Sequence, residues 1–213
     1  MQLPFSHDVF LDVFAMYNAE LWPASLFLWV ATAAMAFRWL AGSRVNGPVL
    51  FGLLSVHWMW SGIAYHWLYF REINRAATLF AAAFVFQGVL FLWMAVKSRA
   101  HTDAPSGLRG AVAGGLVLYG LAYPAIGLAM GLEYPRLPLF AVPCPATLVT
   151  AGFLLGTVGA PRFASVVPIL WAVIGGSAAF ALGITADLVL IVAAAVLALD
   201  LFAPMLFRRR IAV

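Results

Sequence analysis

The chain has 213 residues, of which 65% are apolar and only 9% are charged, and its mean hydropathy is +1.00. Soluble domains carry about 25% charged residues, so this composition excludes a water-soluble domain and predicts an integral membrane protein in contact with lipid. The formal charge of +4 would favour nucleic acid in a soluble protein. We expect no nucleic-acid partner, because no basic face carries interleaved aromatic residues for base stacking.

The first element is an amphipathic helix within residues 1–20. Its apolar residues recur at i, i+3, i+4 and i+7, which places them on one helical stripe: Phe10, Val13, Phe14 and Tyr17. Asp8 and Asp12 lie off this stripe. We predict a helix on the membrane surface; the alternative is a poorly ordered polar tail.

Seven apolar runs follow, and a bilayer core needs roughly 20 apolar residues per helix. The predicted spans are Leu21–Leu40, Pro48–Phe70, Ala76–Val96, Ala111–Leu132, Pro145–Ala160, Phe163–Leu182 and Ala186–Phe207. The fold class is therefore all-α: a polytopic transmembrane bundle of seven spans in one domain, residues 21–210. The fifth span is the shortest. No Lys or Arg precedes Arg38 and no small-residue cleavage site follows a short apolar core, so we expect the first span to be retained.

The charges orient the bundle. With the N-terminus outside, nine cations fall on the cytoplasmic side: Arg38, Arg44, Lys97, Arg99, Arg109, Arg162, Arg208, Arg209 and Arg210. Only three fall outside: Arg71, Arg75 and Arg136. Because cytoplasmic loops carry an excess of Lys and Arg, we predict an inner-membrane protein with an outer N-terminus and a cytoplasmic C-terminus.

Polar side chains collect near the outer ends of the spans, where they predict a binding pocket. Counted at about 1.5 Å per residue, the members lie within roughly two helical turns of the outer interface. They are Asn18, Tyr65, His66, Glu72, Asn74, Cys144, Thr147 and Asp187.

The only cysteine, Cys144, lies between two prolines at the start of the fifth span. Proline is tolerated at the first helical position, so Pro143 and Pro145 predict a sharp helix start whose dipole favours anions and a thiolate. Three interpretations stay open. Cys144 is a small buried residue, a soft metal ligand together with His66, or a redox-sensitive or nucleophilic thiol.

A second polar group is predicted at middle depth, roughly 10–16 Å from the inner ends of five helices. It contains His57, Gln87, Tyr119, Thr150 and Asp200. Asp200 is the only acid inside a span, and His57 is the candidate to neutralise it. Such a pair would be either a satisfied buried contact or a proton or cation relay. Haem between His57 and His66 is not expected, since nine residues place them on opposite sides of one helix.

Small residues predict close helix packing. The G-x-x-x-G pairs are Gly110/Gly114, Gly127/Gly131 and Gly152/Gly156. They fit packing within one bundle or self-association, so the expected partners are the lipid bilayer and either a second copy or other membrane subunits.

Several segments resemble a known family: "YNAELWP", "YHWLYFREINRAA", "VFQGVLFLW", "YPRLPLFAVPCPATLVTAGFLL" and "PILWAVIGGSAAFALG" followed by "ADLVL". The chain resembles uncharacterised bacterial multi-pass membrane proteins that are grouped as a domain of unknown function. The resemblance implies an inner-membrane protein and brings no reaction, ligand or cofactor. The family pattern includes positions that match Tyr17, Asn18, Tyr65, His66, Asn74, Gln87, Pro143, Cys144, Pro145, Thr147 and Asp187. It requires neither a histidine at 57 nor an acid at 200, which favours the outer pocket.

Three functions follow as hypotheses. The first is a transporter-like or solute- or ion-binding bundle with an outward-facing pocket. The second is an accessory or scaffold subunit of a membrane complex, which small-residue faces and short loops would suit. The third is a membrane enzyme in which Cys144 and His66 act together. No cofactor is predicted.

Overall fold

The computed structural model describes residues 4–202, which form a helical bundle. Its helices are α1 (His7–Leu40), α2 (Gly47–Trp60), α3 (Ala77–Lys97), α4 (Gly107–Ala129), α5 (Pro143–Gly156), α6 (Val166–Leu182) and α7 (Val189–Phe202). A π-helical segment, Ser61–Tyr69, continues α2, and 3₁₀ turns cover Phe70–Glu72, Arg162–Ser165 and Thr185–Leu188. The end of the seventh predicted span and the arginine triplet 208–210 lie outside the described residues.

Five helical segments of the described chain are long and apolar enough to cross a membrane: His7–Leu40, Ala77–Lys97, Gly107–Ala129, Arg162–Leu182 and Thr185–Phe202. They cover the first, third, fourth, sixth and seventh predicted spans. The second predicted span changes from α to π geometry within one continuous helix. The fifth is the 14-residue α5, which is apolar but short. The all-α class is confirmed, while the number of seven spans stays a prediction.

The predicted surface helix and the first predicted span form one helix, α1, of 34 residues. Ser6 caps its start by accepting a hydrogen bond from the N–H of Val9. The apolar stripe of its first turns packs on the protein itself: Val13, Phe14 and Tyr17 are buried in a cluster with Tyr65 and Phe70. A membrane-surface position for residues 1–20 therefore stays a prediction, but the stripe is covered by the chain's own aromatic residues.

The core of the bundle is α5, whose side chains are buried at 12 of its 14 positions. It packs on α4, α7, α6 and α2. Two glycines allow the closest approach to α4. A Cβ on Gly152 would lie 2.5 Å from the carbonyl oxygen of Ala113, and one on Gly120 would lie 2.7 Å from a methyl of Val149. Small residues thus let α4 and α5 approach closely; Gly152 belongs to a predicted G-x-x-x-G pair, whereas Gly120 was not predicted.

Three connections meet at one end of the bundle, which we call the strand end (residues 41–46, 98–106 and 157–161). Each contributes a two-residue strand: β1 (Val45–Asn46), β2 (His101–Thr102) and β3 (Thr157–Val158). They pair antiparallel in the order β1-β2-β3, with Val45 opposite Thr102 and Thr102 opposite Thr157. Backbone hydrogen bonds therefore join three loops that are distant in sequence.

The other three connections form the opposite end, which we call the cavity end (residues 70–76, 130–142 and 183–188). The longest, 130–142, is attached to α1. Arg136 forms ion pairs with Asp8 and Asp12 at 3.3 and 2.9 Å. Farther along this loop, the carbonyl of Ala141 accepts a hydrogen bond from Ser61 at 3.0 Å. The loop therefore descends between the helices before α5 begins.

Candidate functional site

A cavity of about 670 Å³ opens at the cavity end. Its walls come from the first turns of α1, the π-helical segment, α4, the start of α5, α6 and the 3₁₀ turn before α7. Four residues of the predicted outer pocket line it: Tyr65, Asn74, Cys144 and Asp187. Its volume falls within the range of about 300–1,000 Å³ that is usual for small-molecule sites.

The polar centre of this cavity is Asp187, which is 6% exposed. The hydroxyl of Tyr123, on α4, donates a hydrogen bond to its carboxylate. The thiol of Cys144 also lies beside this carboxyl group, and the indole of Trp171 lies beside the thiol. Three helices and the 3₁₀ turn therefore bring a phenol, a thiol, an indole and a carboxylate together.

The Pro-Cys-Pro sequence explains how α5 begins next to this group. Val142 is the N-cap, so Pro143, Cys144 and Pro145 hold the first three helical positions. The next N–H, of Ala146, already donates to the carbonyl of Val142 at 3.2 Å. Because proline has no N–H, Cys144 supplies the only backbone donor of those three positions. The helix start is as sharp as predicted, but it offers an anion one backbone N–H instead of three.

Aromatic rings form much of the cavity wall. Tyr65 stacks on Phe14 and on Phe70, with ring centroids 5.5 and 5.6 Å apart. Trp171 lines the cavity from α6 and packs edge-on against Phe80 at 5.3 Å. The wall is thus mainly apolar, and two of its polar side chains, Tyr123 and Cys144, lie beside Asp187.

His66 is fully buried behind this wall and does not line the cavity. Aromatic rings surround it, among them Phe84 at 4.7 Å and Trp171 at 4.9 Å between centroids. Neither ring nitrogen has a hydrogen-bond partner among the described residues. Cys144 and His66 therefore do not form the hydrogen-bonded nucleophile–base pair that the enzyme hypothesis needs. The described residues also contain no group of three or more His, Cys, Asp or Glu side chains that could hold a metal ion.

The other members of the predicted pocket have structural contacts. Asn18 donates to the carbonyls of Pro135 and Leu137, both at 2.7 Å, and so attaches α1 to the 130–142 loop. Thr147 donates to the carbonyl of Pro143 within α5. Asn74 lines the cavity but accepts from the N–H of Ala76 at the start of α3. Glu72 is 65% exposed beside Arg71 and does not line the cavity.

The predicted middle group does not form one layer. His57 hydrogen-bonds to Thr32 at 2.8 Å, and Asp200 forms an ion pair with Arg109 at 2.6 Å. The candidate pair of His57 and Asp200 is therefore not formed, because each has another partner.

The remaining three members are each held by a different contact. Gln87 donates to the carbonyl of Ala164, and Tyr119 donates to the carbonyl of Ala186 beside the cavity. Thr150 accepts from the indole of Trp58 at 2.9 Å. These contacts join helices and give no continuous polar path between the five side chains.

Two site residues were not predicted, Tyr123 and Trp171. Neither side chain belongs to the predicted outer pocket or to the predicted middle group. Tyr119 and Tyr123 are four residues apart, so they share a helix face, and their rings lie 6.4 Å apart. That spacing, opposite the acid at 187, is the one sequence signal that could have identified Tyr123.

The composition and the five helical segments that are long and apolar enough to cross a membrane indicate a helical membrane protein. The chain belongs to DUF6064, a family of unknown function, whose model matches residues 7–213. No curated protein and no solved structure gives a significant match. The resemblance to a domain of unknown function is thereby confirmed.

Proposed function

We propose that the chain crosses the inner membrane seven times, with the cavity end outside and the strand end in the cytoplasm. Alternation of the helices is supported by the three strands, which bring the connections after the first, third and fifth predicted spans to one end. Arg44, Arg99 and Arg162 belong to or adjoin those connections, whereas Arg71, Arg75 and Arg136 lie at the cavity end. With Arg38, Lys97 and Arg109 at the helix ends next to the strands, the bias favours a cytoplasmic strand end.

We propose that the protein binds a small solute in the cavity, as the outward-facing site of a transporter-like bundle. One observation carries this function: a cavity of about 670 Å³ in which mainly apolar walls surround a small polar group centred on Asp187. Small-molecule sites have this composition, since apolar walls supply affinity and a few polar groups fix orientation. The start of α5 at the cavity floor resembles the interrupted helices at transporter sites.

A second role, as an accessory subunit, is favoured by a separate groove of about 440 Å³ between α1 and α4. Trp22, Leu26 and Trp29 line it from α1, and Leu121 and Pro124 line it from α4. An apolar groove on the membrane-facing side would accept a helix of another subunit. Cross-linking from a photoreactive residue at position 26, followed by mass spectrometry, distinguishes a protein partner from lipid.

The sole cysteine offers a direct test of the cavity. Cys144 lines it and is partly exposed, so N-ethylmaleimide should alkylate this thiol in the folded protein. A charged, membrane-impermeant methanethiosulfonate applied to right-side-out vesicles should also reach it, because the cavity faces outward.

A pair of tryptophan variants tests whether the reagent reaches Cys144 through the cavity. Ala178→Trp places a large ring in the cavity wall and should slow alkylation at least tenfold. Leu79→Trp, at a 73% exposed position outside the cavity, should leave the rate unchanged. A thiol that reacts only after unfolding, or only from the cytoplasmic side, would contradict the proposed site.

A further inference from the structure

The cavity has an uneven set of charges. Of the described residues that line it, Asp187 is the only acid, and none is a lysine or an arginine. The lining of the cavity also includes one histidine, His7, which lies at the exposed start of α1. The strongest fixed charge that a bound solute would meet is therefore negative.

Among the described residues, Asp187 also has no cationic partner. Every other aspartate of the described chain forms an ion pair: Asp8 and Asp12 with Arg136, Asp103 with Arg44, and Asp200 with Arg109. The contacts of Asp187 are the neutral Tyr123 hydroxyl and the Cys144 thiol. A buried carboxylate costs several kcal/mol without a countercharge, so charged side chains within membrane proteins are usually paired. The cavity space in front of this carboxylate would accept the missing cation.

The aromatic walls suit the same charge. The faces of aromatic rings attract cations, and the attraction increases when water is excluded. Phe70 and Trp171 line the cavity, as does Tyr123, whose hydroxyl is bound to Asp187. An anion would gain little here, because α5 contributes a single backbone N–H at its start.

The rest of the cavity is suited to an apolar body. Val173, Ile174 and Ala178 line it along α6, and Leu11 and Phe14 line it from α1. A solute whose charge lies at Asp187 would therefore place its hydrocarbon part along α6.

We infer that the cavity binds organic cations with an apolar body, that Asp187 is their counterion and that the surrounding aromatic rings stabilise the charge. This inference rests on the proposed solute site and adds its ligand class. It predicts discrimination by charge between solutes of the same shape.

The test uses two ions of nearly identical shape and opposite charge, tetraphenylphosphonium and tetraphenylborate, with triphenylphosphine oxide as a neutral probe. The full chain is reconstituted in nanodiscs, and the rate at which N-ethylmaleimide alkylates Cys144 is measured by mass spectrometry. Free probe concentrations are set by dialysis against empty nanodiscs, because all three probes enter lipid. We expect tetraphenylphosphonium to slow alkylation at least tenfold at concentrations where tetraphenylborate has no effect.

Three variants locate the charge. Asp187→Asn should weaken protection by tetraphenylphosphonium about tenfold or more, and Asp187→Glu should retain it, which separates loss of charge from loss of folding. Glu72→Gln removes an acid from the same end of the protein but outside the cavity. In this variant, tetraphenylphosphonium should protect Cys144 from alkylation as well as it does in the unchanged chain.

The failures can be told apart. Equal protection by all three probes, unchanged in Asp187→Asn, would overturn the cation inference and leave the solute site standing. A Cys144 that reacts freely but is protected by no probe would also overturn the inference. A Cys144 that cannot be alkylated in the folded protein would overturn the proposed site itself.

Discussion

The two ends of the bundle treat their polar groups differently. At the strand end, three loops pair as a sheet, Thr102 and Thr157 hydrogen-bond at 2.8 Å, and the indole of Trp39 donates to the carbonyl of Asp103 at 2.6 Å. At the cavity end, no described residue gives Asp187 a cationic partner or the ring nitrogens of His66 a hydrogen bond. The loops of the strand end thus form hydrogen bonds with one another, whereas the cavity end contains buried polar groups that lack such contacts.

This difference has an energetic meaning. A buried polar atom without a partner costs about 1–3 kcal/mol, and a satisfied one costs much less. In this chain, the cost of buried polar groups without partners therefore falls mainly at the cavity end. Binding sites are where such losses are tolerated. A cationic ligand in the cavity would supply a countercharge to Asp187, which lines it, whereas His66 lies behind the wall and would not contact such a ligand.

The largest expected effect comes from breaking the close contact between α4 and α5, the two helices that connect the ends of the bundle. In Gly152→Ala, the new methyl would lie 2.5 Å from the backbone oxygen of Ala113, so α4 and α5 must separate. We expect a loss of about 1–3 kcal/mol in the free energy of unfolding, measured by denaturant titration in detergent. The matched control is Gly115→Ala on α4, where a Cβ meets no atom within 4 Å. Equal losses in both variants would show that helix contact at Gly152 is not the cause.

A smaller loss should follow from breaking the ion pair near the strand end. Arg109 binds Asp200 at 2.6 Å and donates to the carbonyl of Leu155 at 2.6 Å, and its side chain is 28% exposed. Arg109→Leu leaves a partly buried carboxylate unpaired, so we expect a loss of about 1–2 kcal/mol in the same titration. Adding Asp200→Leu should recover part of that loss, and no recovery would argue against coupling of this pair. The pair of Arg44 and Asp103 serves as the control: the Arg44 side chain is 65% exposed, so water already solvates its charge and Arg44→Leu should cost less than Arg109→Leu.

The sequence was sufficient for the helices because hydropathy and length determine where a membrane helix can lie. It placed the short fifth helix and its proline start correctly. It did not predict that α1 runs without interruption from His7 to Leu40, since a surface helix and a span differ only in where the chain bends. It also gave no sign of the change to π geometry after Trp60, which depends on packing against other helices.

The candidate site was harder to predict, because depth along a helix does not give the direction of a side chain. Tyr65 and His66 are neighbours at the same depth, yet Tyr65 lines the cavity and His66 is buried behind it. The predicted middle group failed for the same reason: Asp200 and His57 each face another helix. Tyr123 was missed because a tyrosine on an apolar helix becomes distinctive only when its partner is known.

We expect a gain in stability, and not a loss, when a buried side chain without hydrogen bonds at the cavity end is replaced. His66→Phe puts a ring of similar shape among Phe84, Phe80 and Trp171 and removes two unpartnered nitrogens. We expect a gain of about 1 kcal/mol in the free energy of unfolding. His57→Phe is the control, since it removes the hydrogen bond to Thr32 and should not stabilise the protein. A loss of stability in His66→Phe equal to that in His57→Phe would indicate that His66 has a polar partner in the membrane.

The smallest effect is expected at Glu72, which the sequence assigned to the outer pocket. Its side chain is 65% exposed, and its ion pair with the neighbouring Arg71 is long, at 3.4 Å. Exposed pairs contribute little because water solvates both charges, so Glu72→Gln should change the free energy of unfolding by less than about 0.5 kcal/mol. The rate of Cys144 alkylation should also stay the same, because Glu72 does not line the cavity. If Glu72→Gln weakened the protection of Cys144 by tetraphenylphosphonium as much as Asp187→Asn is expected to, the relevant negative charge would belong to the rim of the cavity end and not to the buried carboxylate.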